Sequence, residues 1–561
     1  MKINLIGENN YENPIEQVFI NRGIENYEEY INVDDSVLSS YEGLHNVFRG
    51  VELLCSHLDK ESKMLLVVDP DADGNTSAAM IYNYLHELNP FVDMEWQVHT
   101  DKIHGLKNIE VKDSIDLVIV PDAGSNDFSY HKELNRKGID VLIIDHHEAE
   151  YESEDAVIVN NQFGDYNRNL TGATVVLKFL EAMDDHLRVS LSQKYWDLAA
   201  VGTIADSSPM SDFEVRYIVN EGLKKINNVF LDALIEKQSY SLKGVLNNTS
   251  ISFYIAPLIN AVLRVGSKTD KIDMFKSFIE SNEMVDYTNS RTKVTSKVYI
   301  YADMARRAGN LKAKQGREVD KFMKKYLESE ADVDLNNNVI VLEEDIESGL
   351  TGYLAMKLSS FYQKPVALLR KNANKSDILS GSVRNYDRNG IKNVKDLFNE
   401  TEVDFARGHQ SAFGLQVKED KFDSFKSKLY SKFKEFDLSD EYFDVDFSIP
   451  AEYILDHPEI FEEIDKLKDY WGKGVEEPIV HIKDVPLIDC EVDLLGKLQN
   501  TIAINYGDKV KFMIFKTDEQ TYNSIIDNQT FGSIDVVGRI NINEYKGEYI
   551  NQLMVDGFEV D

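Results

Sequence analysis

The chain has 561 residues, with 61 Lys and Arg against 97 Asp and Glu, for a formal net charge of −36; at roughly 150 residues per domain this length suggests three or four domains. Hydrophobic residues at 43% and aromatics at 10% exclude a largely disordered chain despite the charge. There is no ~18-residue apolar run for a membrane helix, no secretory leader, and only Cys55 and Cys490 as thiols, so a soluble cytoplasmic protein is expected, and the acidity by itself counts against a nucleic-acid partner.

Residues 1–60 read as a helical segment packed on the domain that follows, with apolar positions such as Val18, Phe19 and Ile24. From Met64 the texture changes to short continuous apolar runs: MLLVV at 64–68, LVIV at 117–120, VLII at 141–144 and AVIV at 156–159. Such runs suit the buried strands of a parallel sheet better than half-exposed hairpins. After the first, SAAMIYNYLHEL repeats Ile81, Leu85 and Leu88 at helical spacing. Strand–helix alternation predicts an α/β domain over 61–285 with helices on both faces of its sheet. Residues 294–327, within a connecting segment at 286–330, read as one long helix. Its stripe is Val294, Val298, Tyr301, Ala305 and Ala308, weakened by Gly309 and Gly316.

A smaller α/β domain is expected over 331–440, from NVIVLEED through GLTGYLAMKLSSFY and KPVALL to a Gly-rich segment near 408–414. From about 478 the strand signals return without long helices, as PIVHI, KVKFMIFK, IDVVGRINI and YINQLMVDGFEV. With turns expected at Gly507–Asp508 and Lys546–Gly547, residues 441–561 predict a lead-in segment and a small β-barrel.

The first three strands each run straight into acidic residues. MLLVV gives DPDADGNTS with Asp69, Asp71 and Asp73; LVIV gives PDAGSND with Asp122; VLII gives Asp145, His146 and His147. Further on, LAAVGTIADSSP places Asp206 after another apolar run. Functional groups of parallel α/β sheets gather at the carboxyl ends of the strands, so these segments converge in one cleft. An Asp after a strand is often only a turn former or helix cap, but four repetitions and a DHH tripeptide outweigh that reading. Carboxylates crowded in one cleft resist ionisation unless a cation joins them. Asp with a few imidazoles and no thiolate favours Mn²⁺ or Mg²⁺, and four or more anionic ligands suggest two ions, suited to in-line phosphoryl displacement.

In this order DPDADG, PDAG, DHH and GTIAD resemble motifs one to four of the DHH phosphoesterase superfamily. NNQFGDYNRNLTGATVVLKFL and IAPLINAVLRVG resemble segments of its RecJ-type single-strand exonucleases. GLTGYLAMKLSSFYQKPVALL, LSGSVRN and RGHQSAFG resemble the DHH-associated domain of that branch, and YWGKGVEEP the approach to its OB-fold. The similarity covers most of residues 13–561. It implies metal ligation by Asp71, Asp73, Asp122, His146 and Asp206, with Asp122 bridging two ions and Asp69 an additional ligand or a close neighbour. It further implies that His147 contacts the scissile phosphate as a hydrogen-bond donor or general acid, that Asp145 orients the imidazoles, and that Asn260 and Arg264 clamp a phosphate. In the associated domain it assigns Ser382, Arg384, Gly408 and His409 to the nucleic-acid backbone, with Arg407 as a further contact. The implied activity is 5′→3′ hydrolysis of single-stranded DNA to 5′-mononucleotides, in recombination, repair or replication. The implied protein is a monomer, with a single-strand-binding protein or helicase as partner.

Three positions depart from the family's pattern: Val67 where many members have His, Leu258 where RecJ proteins tend to have Arg, and Arg407 where Gly is usual. These departures and the Asn-, Ile- and Lys-rich style point to a bacteriophage or other mobile element. Positive charge is concentrated: residues 291–325 hold eleven Lys/Arg against three Asp/Glu, and residues 357–395 hold nine against two. A basic path for a strand fits both windows. Tyr506, Phe512, Phe515, Tyr545 and Tyr549 offer base-stacking surfaces or barrel core. Two rival readings are a phosphodiesterase for short oligonucleotides or cyclic dinucleotides, opposed by the long tail, and a non-catalytic scaffold, opposed by the intact ligand set.

Overall fold

The computed structural model describes residues 1–99, 103–328, 336–372, 375–545 and 548–561; the turn expected at Lys546–Gly547 lies outside them. The chain divides into two compact units. One comprises Asn26–Lys314 with Asp469–Glu476, the other Met1–Glu25, Gln315–Lys468 and Glu477–Asp561. Among the described residues no helix is long and apolar enough to cross a membrane.

The first unit is built on five parallel strands, β1 (Met64–Val68), β2 (Met94–Val98), β3 (Leu117–Pro121), β4 (Asp140–Asp145) and β5 (Val157–Asn160), in the order β2-β1-β3-β4-β5. The apolar runs are continuous because both faces are covered. Leu65, Val67, Val118, Val120, Val141 and Ile143 pack with Leu134 and Ile139 on one side. Leu66, Ile119, Leu142 and Ile144 are fully buried on the other. Each such side chain contributes about 1.5–3 kcal/mol on burial. The helices α1 (Ala72–Leu88), α2 (Gly172–Leu187), α3 (Trp196–Ala205) and α4 (Ala256–Val265) complete the part of this unit that positions the site. The order reverses beside β1, the place where open α/β sheets leave a crevice at the strand ends.

The long helix is α5 (Ile300–Glu328), six residues shorter at its start than the sequence suggests. Residues 284–299 instead form a hairpin of β6 (Met284–Thr288) and β7 (Thr295–Tyr299). The Asn289 side chain accepts from the backbone N–H of Arg291 and Thr292, and Lys293 takes φ +60°, which closes the turn before a helix can start. Val294 is 62% exposed and takes no part in the helical stripe. The buried stripe of α5 runs through Ile300, Met304, Ala305, Ala308 and Val319.

In the other unit, β8 (Ile340–Glu343), β9 (Val366–Asn372), β10 (Lys375–Arg384), β11 (Phe405–Gly408) and β12 (Ala412–Lys418) make a mixed sheet ordered β11-β12-β10-β9-β8 over a core rich in Phe398, Phe413, Phe425 and Phe433. A seven-stranded sheet then links Phe447–Pro450, Ile479–Pro486, Ser533–Tyr545, Glu548–Val560, Val510–Phe515, Thr501–Tyr506 and Cys490–Leu495 in that order. Gly507 and Asp508 turn with φ +55° and +53°, as expected at that position. Tyr506 and Phe512 are core residues, whereas Phe515 and Tyr549 are 46% and 73% exposed.

Residues 1–60 do not act as one helical segment. Lys2–Leu5 is a strand paired in parallel with Tyr442–Val445, so Met1–Glu25 goes with the C-terminal elements. Just beyond, Arg22 makes a two-pronged ion pair with the fully buried Asp446 at 2.5 and 3.1 Å. Removing one partner of such a pair strands a buried charge. Arg22→Ala is therefore expected to lower unfolding free energy by about 3–5 kcal/mol, read from urea melts; a loss within the scatter of exposed-site variants would contradict the arrangement.

Candidate active site

The three acidic segments and Asp206 meet at the carboxyl ends of β1, β3 and β4. Ligand atoms within 4.8 Å of one another fall into three groups: Asp69, Asp71 and His104; Asp73, His146 and Asp206; and Asp122, His146 and His147. His146 joins two of them, and the charges of Asp69 and Asp71 in the third act on the buried Asp122. Asp69, Asp73 and Asp122 are buried, Asp71 is half-buried, and Asp206 and His104 stand at the exposed rim.

Each carboxylate is aimed by its local backbone. Asp71 caps α1, accepting from Gly74 N–H at 2.9 Å, so the ordinary cap role coexists with the site. Asp73 accepts from the N–H groups of Gly172 and Ala173 at 2.8 and 3.0 Å, at the first turn of α2. Asp122 sits at φ +65°, in the left-handed region that non-glycine residues seldom occupy. Two glycines allow the close approach. A Cβ on Gly172 would lie 2.2 Å from Asp122 Oδ1, and one on Gly202 would lie 2.6 Å from Asp73 Oδ1. Gly202 thus lets α3 run close enough to deliver Asp206 from its C-terminal end.

The electrostatics fit a divalent cation. Burial, reinforced by Asp206 and Asp71, pushes the Asp73 carboxyl well up. Burial and the charges of Asp73, Asp71 and Asp69 do the same to Asp122. Burial and Asp71 raise Asp206 to about 6, opposed by His147 and Lys473. Asp122 Oδ1 is buried without a hydrogen-bond partner, although His146 Nε2 lies 3.2 Å away. Burial, then the neighbouring His147, lowers His146 to about 4, which keeps its ring neutral as a metal ligand must be. An orphaned buried carboxylate oxygen facing a neutral imidazole is the donor chemistry of an oxygen- and nitrogen-ligated ion.

Asp145 is fully buried, and the imidazole its carboxylate bonds is that of His147. Its Oδ1 accepts from His147 Nδ1 at 2.8 Å and from the His146 and His147 N–H groups, and its Oδ2 from Ser125 N–H. Burial would raise Asp145, but the bond from His147 and the charge of that ring hold it below the ordinary carboxylate range. That same bond raises His147 to about 9, so this exposed ring is a cation at neutral pH.

His104 carries no motif in the sequence. Its Nδ1 lies 2.6 Å from Asp69 Oδ2, and Gly105 N–H donates to Asp69 Oδ1 at 3.2 Å. It places an imidazole nitrogen in the candidate ligand group with Asp69 and Asp71, where the buried Val67 offers none. Asn260 is half-buried and Arg264 exposed on α4, near enough to Lys312 of α5 to lower it after burial. Leu258 is core.

In the second unit, Ser382, Gly414 and Arg407 lie opposite one another across β10, β12 and β11, and Arg384 is opposite Ala412. Ser382 Oγ is 3.0 Å from Thr351 Oγ1, Gly408 takes φ +130°, and the His409 and Ala412 backbones hydrogen-bond each other. Ser382, Arg384, Arg407, Gly408 and His409 are therefore gathered at one end of one sheet. The basic windows are less free than their net charge suggests. Arg306 pairs with Asp303, Arg307 with Asp270, Asp273 and Asp303, and Lys371 with Glu419.

Comparison with known proteins identifies the family. Residues 63–203 match the family model of the DHH family, N-terminal domain, and residues 445–557 that of the RecJ OB domain. The putative SPbeta prophage-derived single-strand DNA-specific exonuclease YorK of Bacillus subtilis (strain 168) is 37% identical over 569 residues, covering 100% of this chain and 98% of the relative. The single-stranded-DNA-specific exonuclease RecJ of Haemophilus influenzae is 22% identical over 97% of this chain and 96% of its own. The crystal structure of RecJ in complex with Mn²⁺ from Thermus thermophilus shares the fold, with a TM-score of 0.74 at 19% identity over 100% of this chain and 79% of that one. The chain belongs to the RecJ-type branch of the DHH family.

Proposed function

We propose that this protein is a metal-dependent exonuclease that degrades single-stranded DNA from its 5′ end to 5′-mononucleotides. The observation that carries the reading is the centre itself: Asp122 Oδ1 unpartnered and buried, beside a neutral His146, with Asp69, Asp71, Asp73 and Asp206 in the adjoining ligand groups. Relatives of the same length are named as single-strand DNA exonucleases, and a RecJ of the same fold was crystallised with Mn²⁺. Direction of attack follows the family resemblance.

Asp69, Asp71 and His104 form one lobe of the centre, and Asp73, His146 and Asp206 the other, with Asp122 between them. Mn²⁺ or Mg²⁺, two ions on this donor set, supplies the Lewis acidity and the low water pKa that phosphodiester hydrolysis needs. The chain's own groups do the rest. Asp145 locks His147 by its Nδ1 and keeps it charged, leaving Nε2–H to donate to a phosphate oxygen. Asn260 and Arg264 bind a neighbouring phosphate. In the second unit Ser382, Arg384, Arg407, Gly408 and His409 hold the strand's backbone, and the exposed Phe515 and Tyr549 stack on its bases. In this reading the protein works as a monomer on strands opened by a helicase or coated by single-strand-binding protein.

Digestion of single-stranded DNA labelled at either end, with Mn²⁺ or Mg²⁺, is expected to release the 5′ label first as mononucleotide; release from the 3′ end refutes the direction. Asp122→Ala and His146→Ala are each expected to lower the rate by about 10³-fold or more, the scale of losing a principal electrostatic contributor, with the circular dichroism spectrum unchanged. Gly172→Ala places a methyl group against Asp122 Oδ1. It should weaken Mn²⁺ uptake at least about tenfold, or 1.4 kcal/mol, in a calorimetric titration of folded protein; unaltered uptake would remove Asp122 from the ligand set.

A further inference from the structure

Outside the motifs, one segment is built into the DHH unit from far along the chain. Residues Asp469–Glu476 belong to that unit although the sequence on either side belongs to the other. Its anchoring is extensive. Arg216, 2% exposed, lies between the rings of Tyr30 and Tyr470 at 4.1 and 4.2 Å. Trp471 is buried and its carbonyl accepts from Asn248 Nδ2 at 2.9 Å. Asn247 Nδ2 donates to Asp469 at 2.6 Å.

The turn itself lies on the residues that follow Asp206. Met210 N–H donates to the Lys473 carbonyl at 2.7 Å. Both neighbours of Lys473 are glycine for steric cause. A Cβ on Gly472 would meet Met210 Cγ at 2.4 Å, and one on Gly474, which has φ +81°, would meet Ser211 Oγ at 2.8 Å. The turn therefore hugs 209–211 with Lys473 as its one long side chain between the two glycines. That side chain is exposed, and among the described residues it has no ion-pair partner. Among the described residues no Lys or Arg is ion-paired with Asp69, Asp71, Asp73, Asp122, Asp145 or Asp206 either. Yet the Met210–Lys473 bond fastens the turn four residues beyond Asp206. A cation whose backbone is fastened beside an anionic centre, with none of that centre's carboxylates paired to it, suits a group that is negative toward the cation and metal-facing on its other side.

We infer that Lys473 is a substrate-contacting residue of this active site, whose ammonium holds a phosphate of the bound strand on the Asp206 side of the centre. A Lys is a compact point charge suited to one phosphate oxygen. Its backbone anchoring means that little ordering is needed when the strand arrives. This contact rests on the exonuclease reading, since the bound phosphodiester is its partner.

The test compares wild type with Lys473→Met and Lys473→Arg in the full-length protein. Three readouts are needed: Mn²⁺-supported hydrolysis of a single-stranded oligonucleotide, binding of that oligonucleotide against salt concentration, and Mn²⁺ uptake. Lys473→Met should raise KM about tenfold with kcat within about twofold, and lower the salt slope of binding by about 0.7, one single-strand phosphate contact. Mn²⁺ uptake should not change, and Lys473→Arg should restore most of both losses. Wild-type KM and salt slope in Lys473→Met would overturn the contact. So would failure of Lys473→Arg to rescue, which marks a structural role, or altered Mn²⁺ uptake, which marks an effect through Asp206. A wild type that digests no DNA refutes the exonuclease reading separately, because the salt slopes still decide the Lys473 contact.

Discussion

Everything in the DHH unit depends on a repulsion. Two like charges 4 Å apart in an effective dielectric near 20 repel by about 4 kcal/mol, and here Asp69, Asp71, Asp73, Asp122 and Asp206 converge with ligand atoms of each group inside 4.8 Å. Burial makes the charged forms costlier still at Asp73 and Asp122. Such a set is stable either with protons on it or with cations among it, and filling it with cations is coupled to proton release. The imidazoles divide the remaining work by environment. His146 is kept neutral and faces the carboxylates, while His147, two residues along the chain from the same Asp145, is kept charged and faces solvent. Adjacent residues of one type with pKa values pushed apart give one ligand and one donor.

The fold meets this constraint by spending its backbone on it. Strand ends aim three acidic segments into one crevice, the first turn of α2 gives two N–H groups to Asp73, and Asp145 collects four more backbone or ring donors. The glycines follow from the same need. Gly172 begins a helix and Gly202 sits within one, where alanine has the better propensity. Both stand where a methyl group would strike Asp122 or Asp73. At these two places the centre, not the helix, chose the residue.

Much of this was legible in the sequence because the relevant signals are local. A buried parallel strand announces itself as an unbroken apolar run, and the Asp, His or DHH that follows sits next to it in the chain. What was not legible depends on contacts made by the fold. The stripe Val294, Val298, Tyr301 matched a helix by spacing, but the Asn289 turn and a cross-strand partner for Val298 decided otherwise. His104 is a lone histidine in a loop, and only the fold carries it across 35 positions to Asp69. The N-terminal strand pairs with a segment 440 residues away, which no pattern within residues 1–60 could show. Likewise the row Ser382, Gly414, Arg407 exists only in the register of three strands.

Charge shows the same distinction between count and position. A net charge of −36 would oppose binding to phosphate if it acted as a whole. With a screening length of about 10 Å at 0.1 M salt, a strand feels its immediate surroundings instead. Nor are all cations equal there. Arg307 is shared among Asp270, Asp273 and Asp303, so its contribution to a basic window is already matched by carboxylates. An Arg in such a cluster fixes helix packing and offers phosphate little. A cation available to substrate has its backbone anchored and its head unpaired, and glycines on either side that let the turn lie close serve that end better than another lysine in the run. Selection for a strand-binding surface on an acidic protein thus acts on where single charges are held, which is why composition weighed against nucleic acid while the geometry of the site is made for it.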